Sequence, residues 1–417
     1  MKSCLRRLLA ALVLASGLLT LASGDAFGAG SAPGMTPKTI KIGFITSQTG
    51  VASSSFSDAA EGVQARFAWQ NAHGGVDGRK IEVVSADDQS SPAQFLTAAQ
   101  DLVANKDVFA VIPFSSFTFA GARYLQQQGV PVVGDAFDGY EWYQKPYSNM
   151  FNYAFAVSAE QGNTFYTNSY LGKMLKAIGV TKLGVLAYGI SPSSQASVKA
   201  AEAAAKAEGI GICYENLSVP FGGSDFTADV LQIKSAGCNG IVGSFVDASD
   251  IALSNALKQA GYTGKQLYYT GYDQEVLDSA SARTAMNGDY FTASAELEQP
   301  NPALKTMLTS LKDYAPAYKG GLPDLGLYGS YVAADLLIKG LEAAGKNPTR
   351  ASFMSALRKV KSYDGNGLLP SPTTFANFGT PKMFPTTACS YLVQLKGGTY
   401  VTAGSSTGKL CGKTISF

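Results

Sequence analysis

Between residues 40 and 270, short runs rich in β-branched residues alternate with longer amphipathic stretches, a pattern that βαβ units with parallel sheets satisfy. Ile40–Thr46, Lys80–Ser85, Val108–Ile112 and Val130–Val133 read as strands, separated by helical segments such as Ala59–Asn71 and Ala93–Asn105. A second series begins near Lys182: strand 182–187, helix 194–208, strand 210–214, helix 226–235, strand 240–245, helix 249–260 and strand 266–270. Ser91-Pro92 supplies an N-cap and a proline at N1, and Gly209, Gly237 and Gly261 fall where C′ glycines belong. After a long helix at Tyr328–Gly345 come a Pro-rich segment (368–385) and a hairpin, Ser390–Leu395 with Thr399–Ala403. The expected fold class is α/β, with two doubly wound lobes joined by a multi-strand hinge. The lobes are expected at 38–155 plus 290–363 and at 156–289 plus 364–417, with crossovers near Asn152–Val157, Asp289–Ala293 and Ser362–Gly367.

Ahead of the first strand, Lys2, Arg6 and Arg7 precede an uncharged run from Leu8 to Gly24, followed by small-residue cleavage patterns at Ala22-Ser23-Gly24 and Ala26-Phe27-Gly28. This reads as an export signal within residues 1–28 and the start of a linker, because the run falls short of the roughly 20 apolar residues that span a bilayer. Asp25 stands where a lipid-bearing cysteine would follow Leu21-Ala22-Ser23-Gly24, so a soluble periplasmic or extracellular protein is expected. The formal charge is +2, and removal of residues 1–24 takes away three positive charges, leaving −1. Such a balance gives no electrostatic footprint for nucleic acid.

Cys4 leaves with the signal. Cys213, Cys238, Cys389 and Cys411 form an even set in an oxidising compartment, for which three pairings exist. Cys213–Cys238 and Cys389–Cys411 are favoured because each would join neighbouring strands of one supersecondary unit. A zinc site is not expected: no two of these cysteines lie within four residues of each other, and His73 is the only histidine. No cofactor is expected either.

Several stretches resemble the branched-chain amino-acid (Leu/Ile/Val) binding protein family, the type I periplasmic solute-binding proteins of ABC transporters. They are Lys41-Ile42-Gly43-Phe44-Ile45 with Thr49-Gly50; Asn71-Ala72-His73-Gly74-Gly75-Val76-Asp77-Gly78-Arg79-Lys80; Asp87-Asp88 with Ser91-Pro92-Ala93; Gly223-Ser224-Asp225-Phe226-Thr227-Ala228; Ile233-Lys234-Ser235-Ala236-Gly237; and Leu257-Lys258-Gln259-Ala260-Gly261. The resemblance implies two lobes with a ligand held in the cleft between them, delivery of a branched-chain or other apolar amino acid to ABC permease subunits, contact with the membrane only through the transporter, and a monomer. Independently, open α/β sheets bind ligands beyond the carboxyl ends of their strands.

Loops at those ends supply the candidates. Ser115 and Ser116, after the third strand and at the start of a helix, suit a ligand carboxylate. Ala136 and Phe137 occupy the family's second contacting loop, where Phe56 also belongs to a dense aromatic set. Tyr188 with Ser191, Phe245 with Asp247, and Tyr272 with Asp273 follow strand ends of the second series. The family's ammonium-binding acid falls at or next to Tyr272, making Asp273 the candidate, with Asp247 equally arguable. If the tyrosine holds that position, the ligand is an amino-free aromatic or aliphatic acid or an amide, bound by a transport protein or a ligand-sensing receptor. Gly404-Ser405-Ser406-Thr407-Gly408 matches a nucleophile-elbow pattern but follows a hairpin, so no enzyme is expected.

Overall fold

A computed structural model describes residues 32–154, 159–161, 164–293, 301–322 and 324–417. The expected export signal lies outside the described residues. The first series comprises β1 (Thr39–Thr46), α1 (Ser53–Phe56), α2 (Ala59–Ala72), β2 (Lys80–Asp87), α3 (Pro92–Ala104), β3 (Ala110–Phe114), α4 (Thr118–Gln127), β4 (Val132–Gly134) and β5 (Met150–Asn152). The second comprises β6 (Ala159–Gln161), β7 (Thr164–Asn168), α5 (Tyr170–Ala177), β8 (Lys182–Tyr188), α6 (Pro192–Ala207), β9 (Gly211–Val219), α7 (Thr227–Ser235), β10 (Gly240–Ser244), α8 (Asp247–Gln259), β11 (Lys265–Tyr268), α9 (Gln274–Asp278), α10 (Ala280–Met286) and β12 (Tyr290–Ala293). Three helices follow, α11 (Pro302–Tyr314), α12 (Leu325–Ala344) and α13 (Arg350–Leu357), and then β13 (Thr387–Lys396), β14 (Thr399–Thr402) and β15 (Lys409–Ser416).

The first five strands form a parallel sheet in the order β2-β1-β3-β4-β5. The second sheet runs β6-β7-β15-β13-β12-β11-β10-β8-β9, with β14 added against β13. Its parallel part, β9-β8-β10-β11-β12, repeats the order of the first sheet. Both are doubly wound, and each reverses its winding direction between its first and third strands, where such sheets bind ligands. β13 joins β12 antiparallel, so the C-terminal segment extends the second sheet. The apolar residues of β1, β3, β8 and β10 are buried, as strands covered by helices on both faces require.

Helix punctuation follows the sequence closely. Ser191 caps α6 by accepting from Ser194 N–H, with Pro192 at N1. Gly209, Gly237 and Gly261 take positive φ of 80°, 67° and 66° immediately beyond their helices. Ser91 occupies the expected N-cap of α3, but its side chain makes no capping bond. Gly62 allows α2 to lie against α12, since a Cβ there would meet Leu327 O and Ser330 Oγ at 2.2 Å. A buried ion pair, Arg66 Nε to Asp335 Oδ1 at 2.8 Å, joins the same two helices.

Several details depart from expectation: β4 begins two residues later than the strand expected at 130–133, and β9 runs five residues past the one expected at 210–214. β3 begins at Ala110, two residues later than the apolar run suggests, and ahead of it the carbonyls of Val108 and Phe109 accept from the Arg350 guanidinium at 2.7 and 3.0 Å. The Pro-rich return is followed by three strands where two were expected. β15 pairs with β13 on one side and β7 on the other. Both favoured disulfides are present: Cys213–Cys238 with Cα atoms 5.8 Å apart and Cys389–Cys411 at 4.0 Å. The second links directly paired residues of β13 and β15.

Candidate ligand cleft

The carboxyl ends of both sheets face one pair of connected chambers. An aromatic chamber of about 210 Å³ is lined from the first sheet by Phe56, Ser116 and Phe137, and from the second by Tyr188, Ser191, Phe221 and Phe245. An adjoining chamber of about 190 Å³ is lined by Ser54 and Ser55, by Asp247 and the Gly271–Asp273 turn, and by Asp324, Tyr328 and the 369–373 segment. Asp135, Ala154, Tyr170, Tyr269, Thr270, Thr292 and Leu325 line both.

Nine of the eleven residues proposed from sequence therefore line the cleft: Phe56, Ser116, Phe137, Tyr188, Ser191, Phe245, Asp247, Tyr272 and Asp273. Ser115 and Ala136 are not among the lining residues. Ser115 is wholly buried, donates its hydroxyl to Asp88, and accepts from Phe117 N–H at 3.0 Å. A buried carboxylate requires such donors, and Ser47 Oγ gives Asp88 another at 2.7 Å. Sequence reasoning missed Asp135, although it stands in the loop singled out after β4, and Asp324, which follows no strand and precedes α12.

Packing fixes the aromatic walls. Phe56 stacks on Phe137 with centroids 5.6 Å apart, and Tyr188 lies 4.8 Å from Phe221 and 4.6 Å from Phe245. Phe117, after the first sheet's β3, meets Phe221, after the second sheet's β9, at 5.2 Å. Aromatic pairs at these separations contribute beyond their buried area.

The polar side of the cleft is acidic. Among the described residues, no Lys, Arg or His lines either chamber, whereas Asp135, Asp247, Asp273 and Asp324 line the smaller one. Burial pushes the Asp135 carboxyl up to about 6, although Tyr153 donates to it at 2.8 Å. Burial, reinforced by the Asp247 charge, holds Asp273 well above the usual carboxylate range even though it accepts from Val276 N–H at 2.6 Å. Asp247, 3% exposed, accepts from Ser55 Oγ at 2.6 Å through Oδ2, while its buried Oδ1 has no hydrogen-bond partner. Such an oxygen is costly unless a ligand or water satisfies it.

His73 lies outside the cleft, where its ring stacks on Trp69 and Nδ1 bonds Trp69 O at 2.7 Å. The Gly404–Gly408 pattern forms the turn between β14 and β15, a strand-to-strand connection unlike a nucleophile elbow. Among the described residues, no group of three or more His, Cys, Asp or Glu side chains is arranged to hold a metal ion, and no helix is long and apolar enough to cross a membrane.

Comparison with known proteins agrees with this architecture. A Leu/Ile/Val-binding protein homolog of Brucella melitensis is 25% identical over 347 residues, covering 80% of this chain and 89% of that one. The leucine-binding protein of Thermotoga maritima superposes with a TM-score of 0.70 at 19% identity, covering 87% of this chain and 97% of its own. A solute-binding protein of an ABC transporter from R. palustris, solved in complex with benzoate, gives 0.70 at 18% identity and covers 90% and 97%. Residues 39–399 match the periplasmic binding protein family, and the chain with its two similarly wound sheets belongs to that family.

Proposed function

We propose that the protein is an exported, monomeric solute-binding protein that hands a small amine-bearing solute to the permease of an ABC importer. Family membership supports binding and delivery over catalysis or signalling. In this reading residues 38–155 with α11–α13 form one lobe and 156–293 with 364–417 the other, β12 standing in the second sheet and not, as expected, in the first lobe, and hinge closure encloses the solute. The lipid-free export expected from residues 1–28 completes the route to the compartment where such a protein works.

The observation that carries the ligand class is the unpartnered Oδ1 of Asp247, buried beside Asp273 in a cleft that no cationic side chain lines among the described residues. An ammonium group there satisfies the oxygen and offsets the repulsion between the two carboxyls. The aromatic chamber then receives the apolar part of the solute. Of the expected carboxylate seat only Ser116 reaches the cleft, while Ser115 gives its hydroxyl to the buried Asp88, so an amino-free acid fits less well.

Native mass spectrometry of the protein purified from an exporting host identifies the retained solute, and calorimetry with that solute on Asp247→Asn tests the seat. A loss of tenfold or more is expected. Unchanged affinity, or a retained acid without an amine, overturns the reading.

A further inference from the structure

Two long helices begin at the smaller chamber with an aspartate at the first or N-cap position, Asp247 at the start of α8 and Asp324 before α12, where it accepts from Leu327 N–H; Asp273, before the short α9, also lines the chamber, and Asp58 precedes α2. A helix N-terminus offers about half a positive charge. Each is matched here by a full carboxylate of its own, which removes the positive poles that a ligand anion would use and leaves negative charge in excess.

The carboxylates stand as two pairs. Asp273 lies beside Asp247 in the chamber lining and feels its charge, and Asp324 feels that of Asp58. Two carboxyls so close and out of water cannot both remain charged unless a proton or a cation joins them. Among the described residues no Lys, Arg or His lines the chamber, and the charges acting on Asp273 and Asp324 are those of other carboxylates. A single ammonium at Asp247–Asp273 leaves Asp324, which lines the same chamber, uncompensated. Tyr272 lines the chamber beside Asp273 and feels the charge of Asp324. Its ring gives a cation or a short methylene chain a face to lie on.

We propose that the solute is a dication, such as an α,ω-diamine or a basic amino acid, with one cationic group at Asp247–Asp273 and the second at Asp324 and its neighbour Asp58. This deepens the solute-binding reading above and rests on it. The second seat separates this chain from binding proteins whose solute carries one ammonium.

Calorimetry on the mature protein with 1,4-diaminobutane, 1,5-diaminopentane and L-lysine, against butylamine, L-leucine and benzoate, tests it. At least one dication is expected to bind tenfold or more tightly than any monoamine or acid. Asp324→Asn keeps an N-cap acceptor for α12 and is expected to lower the ratio of diamine to monoamine affinity tenfold or more, a readout that a general loss of folded protein does not move. L-leucine, butylamine or benzoate binding as tightly as the best dication overturns the proposal, as does an unchanged ratio in Asp324→Asn. If no dication binds, the proposal also falls. The solute-binding reading survives that result where native mass spectrometry finds a retained molecule that Asp247→Asn releases, and falls where the variant keeps it.

Discussion

Ser55 and Asp247, 192 residues apart in sequence, hold each other by two hydrogen bonds: the serine hydroxyl donates to Oδ2 at 2.6 Å and accepts from the aspartate N–H at 3.1 Å. Ser55 belongs to α1, which follows the first sheet's β1, and Asp247 opens α8, which follows the second sheet's β10. The two sheets are thus tied at their ligand-facing ends by groups that also line the cleft.

Ser55→Ala is expected to favour separation of the two halves. Loss of a hydrogen bond to a charged group costs about 1.5–3 kcal/mol, or roughly tenfold to a hundredfold in solute affinity if closure and binding are coupled. Calorimetry measures the affinity, and small-angle scattering of the solute-free variant shows a larger radius of gyration than the parent. Equal affinity and equal radius contradict the link.

Closure itself has a separate readout. Scattering from the parent protein is expected to give a smaller radius at saturating solute than without it, since hinge motion is how two lobes enclose a ligand. An unchanged radius argues for a preformed, rigid cleft.

The disulfides close sequence separations of 25 and 22 residues, and chain entropy for loops of that size is worth about 3 kcal/mol each. Peptide mapping without reduction is expected to recover Cys213 with Cys238 and Cys389 with Cys411. A Cys389→Ser, Cys411→Ser double variant is expected to lose about 3 kcal/mol in denaturant unfolding. A freely alkylated cysteine in the exported protein refutes the pairing.

Stability should fall as pH rises through neutrality. Burial raises the Asp289 carboxyl from 3.8 to about 7, against the smaller effects of Ser254, which donates to it at 2.6 Å, and Lys258. Between those two values the folded state binds more protons than the unfolded one, so the stabilisation is complete below about pH 4 and is lost as the group ionises near pH 7. Asp135, raised to about 6, acts in the same direction. Thermal unfolding is expected at a higher temperature at about pH 5 than at about pH 8, with Asp289→Asn flattening the difference by stabilising the protein at the higher pH. A parent that is more stable at about pH 8 contradicts the assignment.

The parallel strands and their helices were legible because local signals agree with the fold: β8 and α8 fall within two residues of the runs read from sequence, and Gly209, Gly237 and Gly261 end helices as their positions suggest. β15 was not legible, since Lys409–Ser416 alternates weakly and becomes a strand through pairing with β7 and β13, contacts far away in sequence. The site divides in the same way. Phe245 and Asp247 follow a strand end and could be placed by topology alone. Asp324 reaches the chamber through the packing of α12, and Ser115 turns inward to Asp88, neither of which leaves a mark in the neighbouring residues.

The position of β15 bears on how the chain is made. Synthesis runs from the amino terminus, so the strand that fills the slot between β7 and β13 emerges after both of them. Until Lys409–Ser416 appears, both neighbours present open edges, the kind of surface that recruits strands from other chains. A nascent polypeptide can assemble its first sheet early, but the second waits for Lys409–Ser416, and a chain lacking that strand should aggregate instead of persisting as a slightly destabilised monomer.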